Sequence, residues 1–179
     1  MNRRGLVVLG KVVGLFVIAV ALQVLIVSRV SVLGVTADLF LVMTIVLGMG
    51  RGSLTGALFG FAAGIVADIA YLQPLGMRAL VYVLAGYFVG MAALRLGSVG
   101  PWVVFLVAIG ASFSAQLIFA IVQFILGPRS GFFTILGVQI LPEAVLDGLI
   151  AIPIYVLLVH LGILPEPRKQ PSSPKAVAE

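Results

Sequence analysis

The sequence predicts an all-α membrane protein folded as a bundle of six transmembrane helices. Three observations carry that expectation. Of the 179 residues, 62% are apolar and 9% are charged, and the mean hydropathy is +1.28. Soluble domains carry about 25% charged residues, so no water-soluble domain fits in this chain. Short polar or Gly/Pro turns cut the apolar runs into about six pieces, and a bilayer crossing needs about 20 residues. Finally, glycines recur at Gly48, Gly52, Gly56, Gly60 and Gly64, with Asp68 at the next four-residue step.

In water the glycine ladder would make a poor helix, since each interior glycine costs about 1 kcal/mol relative to alanine. In a bilayer the backbone has no water to bond, so helix is the default. Small residues four apart then let neighbouring backbones come close. Four residues turn a helix by about 400°, so each rung drifts about 40° around the axis. A straight partner meets about three consecutive rungs, and this helix is expected to be central with at least two neighbours. From Gly52 to Asp68 the ladder rises about 24 Å, which puts the carboxylate near the far membrane boundary.

The first span is predicted over residues 6–27, an apolar run after Met1-Asn2-Arg3-Arg4-Gly5 that is too long for a cleaved signal sequence. Lys11 lies inside it and is expected to snorkel back to the surface of Arg3 and Arg4. Gln23 is expected to make an interhelix hydrogen bond. The second span is predicted over 35–49, beginning near Asp38, and a glycine-dense turn separates it from the third, 53–71. Gln73-Pro74-Leu75-Gly76 breaks the helix before the fourth span, 77–94, which carries Gly86 and Gly90. The fifth span covers 102–126, with Trp102 suited to an interfacial belt. Pro142 removes a donor and disfavours helix at Leu141. It divides 132–141, expected to be a short interfacial or re-entrant piece, from the sixth span, 142–161. These pieces make one domain, 1–164, followed by a Pro/Ser-rich tail, 165–179, expected to be disordered and cytoplasmic.

A net charge of +5 does not point to nucleic acid, because the basic residues sit singly at span ends or in the two tails. Six spans place both tails on one side. The basic residues of the tails (Arg3, Arg4, Arg168, Lys169, Lys175) make that side the cytoplasm. The chain has no cysteine, which excludes disulfides, thiol chemistry and cysteine metal sites.

With this topology the acids Asp38, Asp68, Glu143 and Asp147 fall in the outer half of the membrane, at the level of Arg29, Arg78 and Arg129. Glu143 and Asp147 are four apart and share a helix face. Acids within a membrane usually face the bundle interior or a water-filled cavity. Asp38, Asp68, Arg78, Glu143 and Asp147 are therefore the candidate outer polar pocket. The competing reading is structural, with Asp68 capping a helix or pairing with Arg78, and Glu143 stabilising a helix start. Of these, an ion pair between Asp68 and Arg78 bracing the turn is the expected arrangement. The packing candidates are Gly52, Gly56, Gly60, Gly64, Gly76, Gly86 and Gly90. Nothing supports an enzyme or a cofactor. The single histidine, His160, is a membrane thickness from the acids, and no HExxH, P-loop or metal-ligand cluster is present. Ser112 and Ser114 are expected to bond locally within their helix.

One family shares this order of features. Asp38-Leu39 early in span two, Gly52, Gly56, Gly60, Gly64 and Asp68 in span three, Gly76 after the break, and Ala79-Leu80 and Gly86-Tyr87 in span four resemble MreD, the rod-shape-determining membrane protein of bacteria. Gln23 and Pro142 also fit. The resemblance implies a non-enzymatic adaptor of the cell-elongation machinery in the cytoplasmic membrane, where peptidoglycan is made. Its partner would be MreC, a single-span protein with a periplasmic domain, whose transmembrane helix would meet faces of the bundle. The MreB filament and the RodA and penicillin-binding protein pair would be indirect partners, and membrane lipids would surround it. The resemblance also implies a fold like the substrate-binding S component of ECF vitamin transporters, and such a component is the alternative function. Those proteins use an A-x-x-x-A pair in span one to meet their partner, and here Ala19 is followed by Gln23 instead. A small channel or proton-coupled carrier would use Asp68 and Asp147, but no acid in the inner half completes a path.

Overall fold

A computed structural model of the protein describes residues 3–25, 34–96, 100–126 and 136–165, and they are helical apart from turns and short connections. The helices are α1 (Arg3–Leu25), α2 (Leu39–Arg51), α3 (Ser53–Ala70), α4 (Met77–Ala93), α5 (Pro101–Leu126) and α6 (Leu141–His160). A π-helical turn, Leu136–Ile140, leads directly into α6. Three of the helices, α3, α5 and α6, are long and apolar enough to cross a membrane. The apolar stretches Gly10–Gln23 of α1, Leu39–Arg51 and Met77–Ala93 are shorter.

Local chemistry sets the helix ends. α2 begins at Leu39, later than the apolar run predicts, because the Asp38 side chain caps it by accepting the Leu41 N–H at 3.1 Å. Gly52, at φ +94°, reverses the chain in one residue, so α3 starts at Ser53. Gly76, at φ +98°, ends the connection over residues 71–76 and leads into α4. An added Cβ at either would meet nothing within 4 Å, so it is the positive φ that calls for glycine at both, although the Gly52 backbone also lies against Gly90 of α4. Pro142 does not interrupt the chain. It sits in the first turn of α6, and the preceding turn takes π geometry, so the helical run passes through the proline. The described part of the 132–141 piece, from Leu136, is therefore continuous with α6. α6 ends in a Schellman turn, with Gly162 at φ +65° and the Ile163 N–H bonded to Leu158 O at 2.9 Å.

The central helix is α2, not the glycine-bearing α3. Every residue from Phe40 to Met49 is buried. α3 keeps Leu54, Leu58, Phe61 and Ile69 exposed on its outer face. Lipid is as apolar as these side chains, so nothing drives them inward. The other face of α3 packs on two neighbours. A Cβ at Gly56 would lie 2.6 Å from Gly86 O of α4 and 2.7 Å from Gly48 Cα of α2. One at Gly60 would lie 2.5 Å from Tyr82 O, and one at Gly64 2.2 Å from Ala79 Cα. Three consecutive rungs thus meet α4. In return Gly86 lies against the Gly56 carbonyl and Gly90 against Ser53 N. α1 lies at the edge, with Phe16 set edge-on to Phe59 of α3 at 5.4 Å.

Lys11 Nζ donates to Leu161 O at 2.7 Å and Arg51 Nε to Ile163 O at 2.7 Å. The start of α1, the end of α2 and the end of α6 therefore share one end of the bundle. Lys11 is held by the α6 terminus and does not run free towards Arg3 and Arg4. Arg29, Arg129, residues 127–135 and the tail from Glu166 lie outside the described residues.

Candidate functional site

The opposite end of the bundle collects the start of α2, the α3–α4 turn, the starts of α4 and α6, and the far half of α5. Asp38 uses one carboxylate oxygen to cap α2. The other accepts from Arg78 Nη1 at 3.2 Å and from the Tyr82 hydroxyl. Arg78 and Tyr82 are four apart on α4 and so share a face, and Arg78 Nη1 also donates to Tyr82 Oη at 3.1 Å. The guanidinium lies over two rings, 4.8 Å from the centroid of Tyr71 and 4.6 Å from that of Phe119. Two such cation–π contacts steady a cation that is largely removed from water.

Asp147 is fully buried. Its Oδ1 accepts the Asp38 backbone N–H at 2.8 Å, and its Oδ2 accepts the Ser112 hydroxyl and the Gln116 amide, the latter at 3.3 Å. One carboxylate thereby ties α6 to the start of α2 and to α5. Gln23 fastens α1 to the same end. Its Oε1 accepts the Leu39 N–H at 2.9 Å, and its Nε2 donates to Ala37 O at 3.1 Å and to the Tyr71 hydroxyl at 2.7 Å. Buried polar groups are costly unless bonded, and these bonds join helices that lipid alone would not hold together.

Asp68 stands apart from this cluster. It is fully buried, and its carboxylate accepts the Gly76 N–H at 2.7 Å and the Arg78 backbone N–H at 3.0 Å. It therefore caps α4 from the end of α3. The expected ion pair with the Arg78 side chain does not form. Left-handed Gly76 turns the first N–H groups of α4 towards the carboxylate, while the guanidinium is drawn to Asp38.

Between the clusters lies a pocket of about 330 Å³, walled by Asp38, Arg78, Tyr82, Gln116, Phe119 and Glu143 and rimmed by Gln123 and Gln139. Two buried polar atoms of these residues have no hydrogen-bond partner among the described residues, Arg78 Nε and Gln116 Oε1. One is a donor and the other an acceptor. A buried polar group left unpaired costs about 1–3 kcal/mol, and both of these atoms belong to residues that line the pocket. Among the described residues no group of three or more His, Asp or Glu could hold a metal ion. His160 is exposed at the other end, with Nδ1 3.3 Å from Val156 O of its own helix.

The chain matches the family described as rod shape-determining protein MreD over residues 4–162. It belongs to the MreD family. It is thus a rod shape-determining membrane protein, from a family of shape-determining proteins and not one of known enzymes. Comparisons with curated proteins and with solved structures gave no match.

Within this MreD-family chain, the structure gathers Asp38, Arg78, Glu143 and Asp147 at one end and assigns Asp68 to the α3–α4 turn. Tyr71, Tyr82, Gln116 and Phe119 belong to the site without any sequence expectation attached to them, and Ser112, expected to bond within its own helix, instead donates to Asp147 of α6. Two spacings held the signal. Tyr82 stands four after Arg78, and Gln116 four after Ser112, and each pair presents polar atoms on one face of an apolar helix. Ser112 reaches across to Asp147, whereas Ser114 bonds its own helix at Gly110 O, 2.7 Å away.

Proposed function

We propose that this protein is a non-enzymatic adaptor of the cell-elongation machinery that binds MreC. The observation that carries the reading is the pocket with its unpaired donor and unpaired acceptor. A peptide group supplies both an acceptor for Arg78 Nε and a donor for Gln116 Oε1. A pocket of this size takes a short stretch of partner chain or a few side chains. MreC-type partners cross the membrane once and leave it towards a periplasmic domain. Their emerging segment passes the outer end of the bundle, where this pocket would open. MreB and the RodA and penicillin-binding protein pair would be engaged through MreC.

The charge distribution supports one orientation. Asp38, Asp68, Glu143 and Asp147 all lie at the pocket end. Lys11, Arg51 and Arg95 lie at or towards the other end, with no acid beside them among the described residues. Arg78 also lies at the pocket end, but Lys11, Arg51 and Arg95 outnumber it, and basic residues favour the cytoplasmic side, which supports an outward-facing pocket. Six spans in the cytoplasmic membrane with both termini cytoplasmic complete the reading. An S-component role gains nothing here. Ala19, where such a protein would meet its transport partner, is buried against the bundle at 3% exposure.

Ala120 lines the pocket without joining its polar bonds. Ala120→Trp should fill the pocket and lower recovery of co-expressed MreC by about tenfold or more, the equivalent of about 1.4 kcal/mol, while the protein stays folded in detergent. Unchanged recovery of MreC by the folded variant would remove the pocket from the adaptor surface.

A further inference from the structure

Most of the acids at the pocket end are satisfied by the chain itself. Asp68 accepts the backbone N–H groups of Gly76 and Arg78. Asp147 accepts the Asp38 N–H, the Ser112 hydroxyl and the Gln116 amide. Asp38 accepts the Leu41 N–H, the Arg78 guanidinium and the Tyr82 hydroxyl. Glu143 is the exception. Its carboxyl group lines the pocket and makes no hydrogen bond or ion pair among the described residues. Among those residues Arg78 is the one cation at this end, and it is already committed to Asp38.

The pocket therefore holds unmet groups of both kinds. The Glu143 carboxyl and Gln116 Oε1 lack a donor, and Arg78 Nε lacks an acceptor. The bonds around them set their spacing. Gln116 Nε2 donates to Asp147 Oδ2, and Glu143 stands one turn from Asp147 on the same face of α6, with Cβ atoms about 5–6 Å apart. Asp147 also accepts the N–H of Asp38, whose side chain holds Arg78 Nη1. The two acceptors are thus neighbours on α5 and α6, and the donor stands beyond Asp38 on α4.

A ligand that meets all of them has several N–H donors at one end and an oxygen acceptor at the other. A primary ammonium suits the acceptor side, because it offers three donors and a charge opposite to that of Glu143. An oxyanion suits Arg78 Nε. A purely anionic ligand does not fit, since Asp38 already balances Arg78 and Glu143 would repel it. A quaternary ammonium has no N–H to give. In the outward orientation this pocket lies at the level of the lipid headgroups, and exposed Gln123 and Gln139 stand at its edge. We propose that the pocket binds a zwitterion whose primary ammonium stands a few bonds from an oxyanion, the chemistry of a phosphoethanolamine headgroup. Glu143 and Gln116 Oε1 accept from the ammonium, and Arg78 Nε donates to the phosphate. The proposal goes beyond the adaptor reading, in which a partner segment enters the same pocket: the zwitterion holds the pocket in protein that has no partner bound.

The test uses the full chain, expressed without MreC and placed in nanodiscs of phosphatidylethanolamine, phosphatidylcholine and phosphatidylglycerol in equal parts with matched acyl chains. Native mass spectrometry after release reads the lipid retained. Phosphatidylethanolamine should be retained about tenfold or more over either of the others. Glu143→Gln breaks no bond of the fold, so it should keep the Tm and bring phosphatidylethanolamine down to parity with phosphatidylcholine. Ala120→Trp should do the same by filling the pocket, and it decides the matter if Glu143→Gln does not fold. Free phosphoethanolamine added in detergent separates the two sources: a rise in Tm that Glu143→Gln abolishes, without lipid preference, would assign the pocket to the free molecule. Equal retention of all the lipids with no rise in Tm, or preference for phosphatidylglycerol, would overturn the proposal. A preference that survives both substitutions would place the lipid elsewhere and overturn it as well. MreC recovery without any zwitterion preference leaves the adaptor standing, whereas the preference without MreC recovery defeats the adaptor alone.

Discussion

Gly64→Ala tests the packing of α3 on α4 through the sign of a single methyl group. The new Cβ would lie 2.2 Å from Ala79 Cα, 2.5 Å from Ala79 N and 2.8 Å from the Arg78 carbonyl carbon. Carbon atoms rest at about 3.5–4.0 Å, so the helices must part by about 1.5 Å. All three atoms are backbone, and no rotamer change relieves them. The first turn of α4 is also pinned by Asp68, one helical turn beyond Gly64, through the N–H groups of Gly76 and Arg78. Overpacking costs about 1–3 kcal/mol, and loosening the Asp68 cap adds about 0.5–2 kcal/mol. Alanine returns at most about 1 kcal/mol of helix propensity. The net loss is about 0.5–4 kcal/mol, and at about 2–4 °C per kcal/mol for a chain of this size Tm should fall by about 1–16 °C. The assay is the fraction of protein remaining monodisperse in detergent after heating. Gly14→Ala is the control, since its Cβ would meet nothing within 4 Å and propensity alone should leave Tm equal or higher. If Gly64→Ala melts at or above the unaltered protein, the close approach of α3 and α4 is wrong.

Asp68→Asn should lower Tm in the same assay, because the amide loses one acceptor and the charge that holds two N–H groups, a loss of about 1–2 kcal/mol. The exchange Asp68→Arg with Arg78→Asp should recover none of it, since the bonds run to backbone; substantial recovery would restore the side-chain ion pair. For topology, cysteines at Leu72, 92% exposed in the α3–α4 turn, and at Arg95, exposed after α4, should label from opposite sides of the membrane. Labelling from the same side would rule out α4 as a span.

Composition and the four-residue glycine spacing were enough to read an all-helical membrane chain, the close packing of α3 and the place of Asp68 at its end. Which helix is central was not legible. Protein interior and lipid are both apolar, so hydropathy cannot separate the buried Phe40 to Met49 of α2 from the exposed Leu54, Leu58 and Phe61 of α3. The acids of the site were legible because any acid in so apolar a chain stands out. Their partners were not. Arg78 pairs with Asp38, 40 positions away on another helix, and Ser112 with Asp147, 35 positions away. Spacing along one helix shows only neighbours three or four apart. Asp68 and Arg78 were rightly placed side by side but with the wrong atoms in contact, because the left-handed turn at Gly76 presents backbone where a side chain was expected.

The measurement closest to the central claim is recovery of partners. The full-length protein, extracted from bacterial membranes in detergent and captured by a tag, should bring MreC with it when the eluate is read by mass spectrometry. Recovery of transporter ATPase subunits in place of MreC would contradict the adaptor and point to an S component instead.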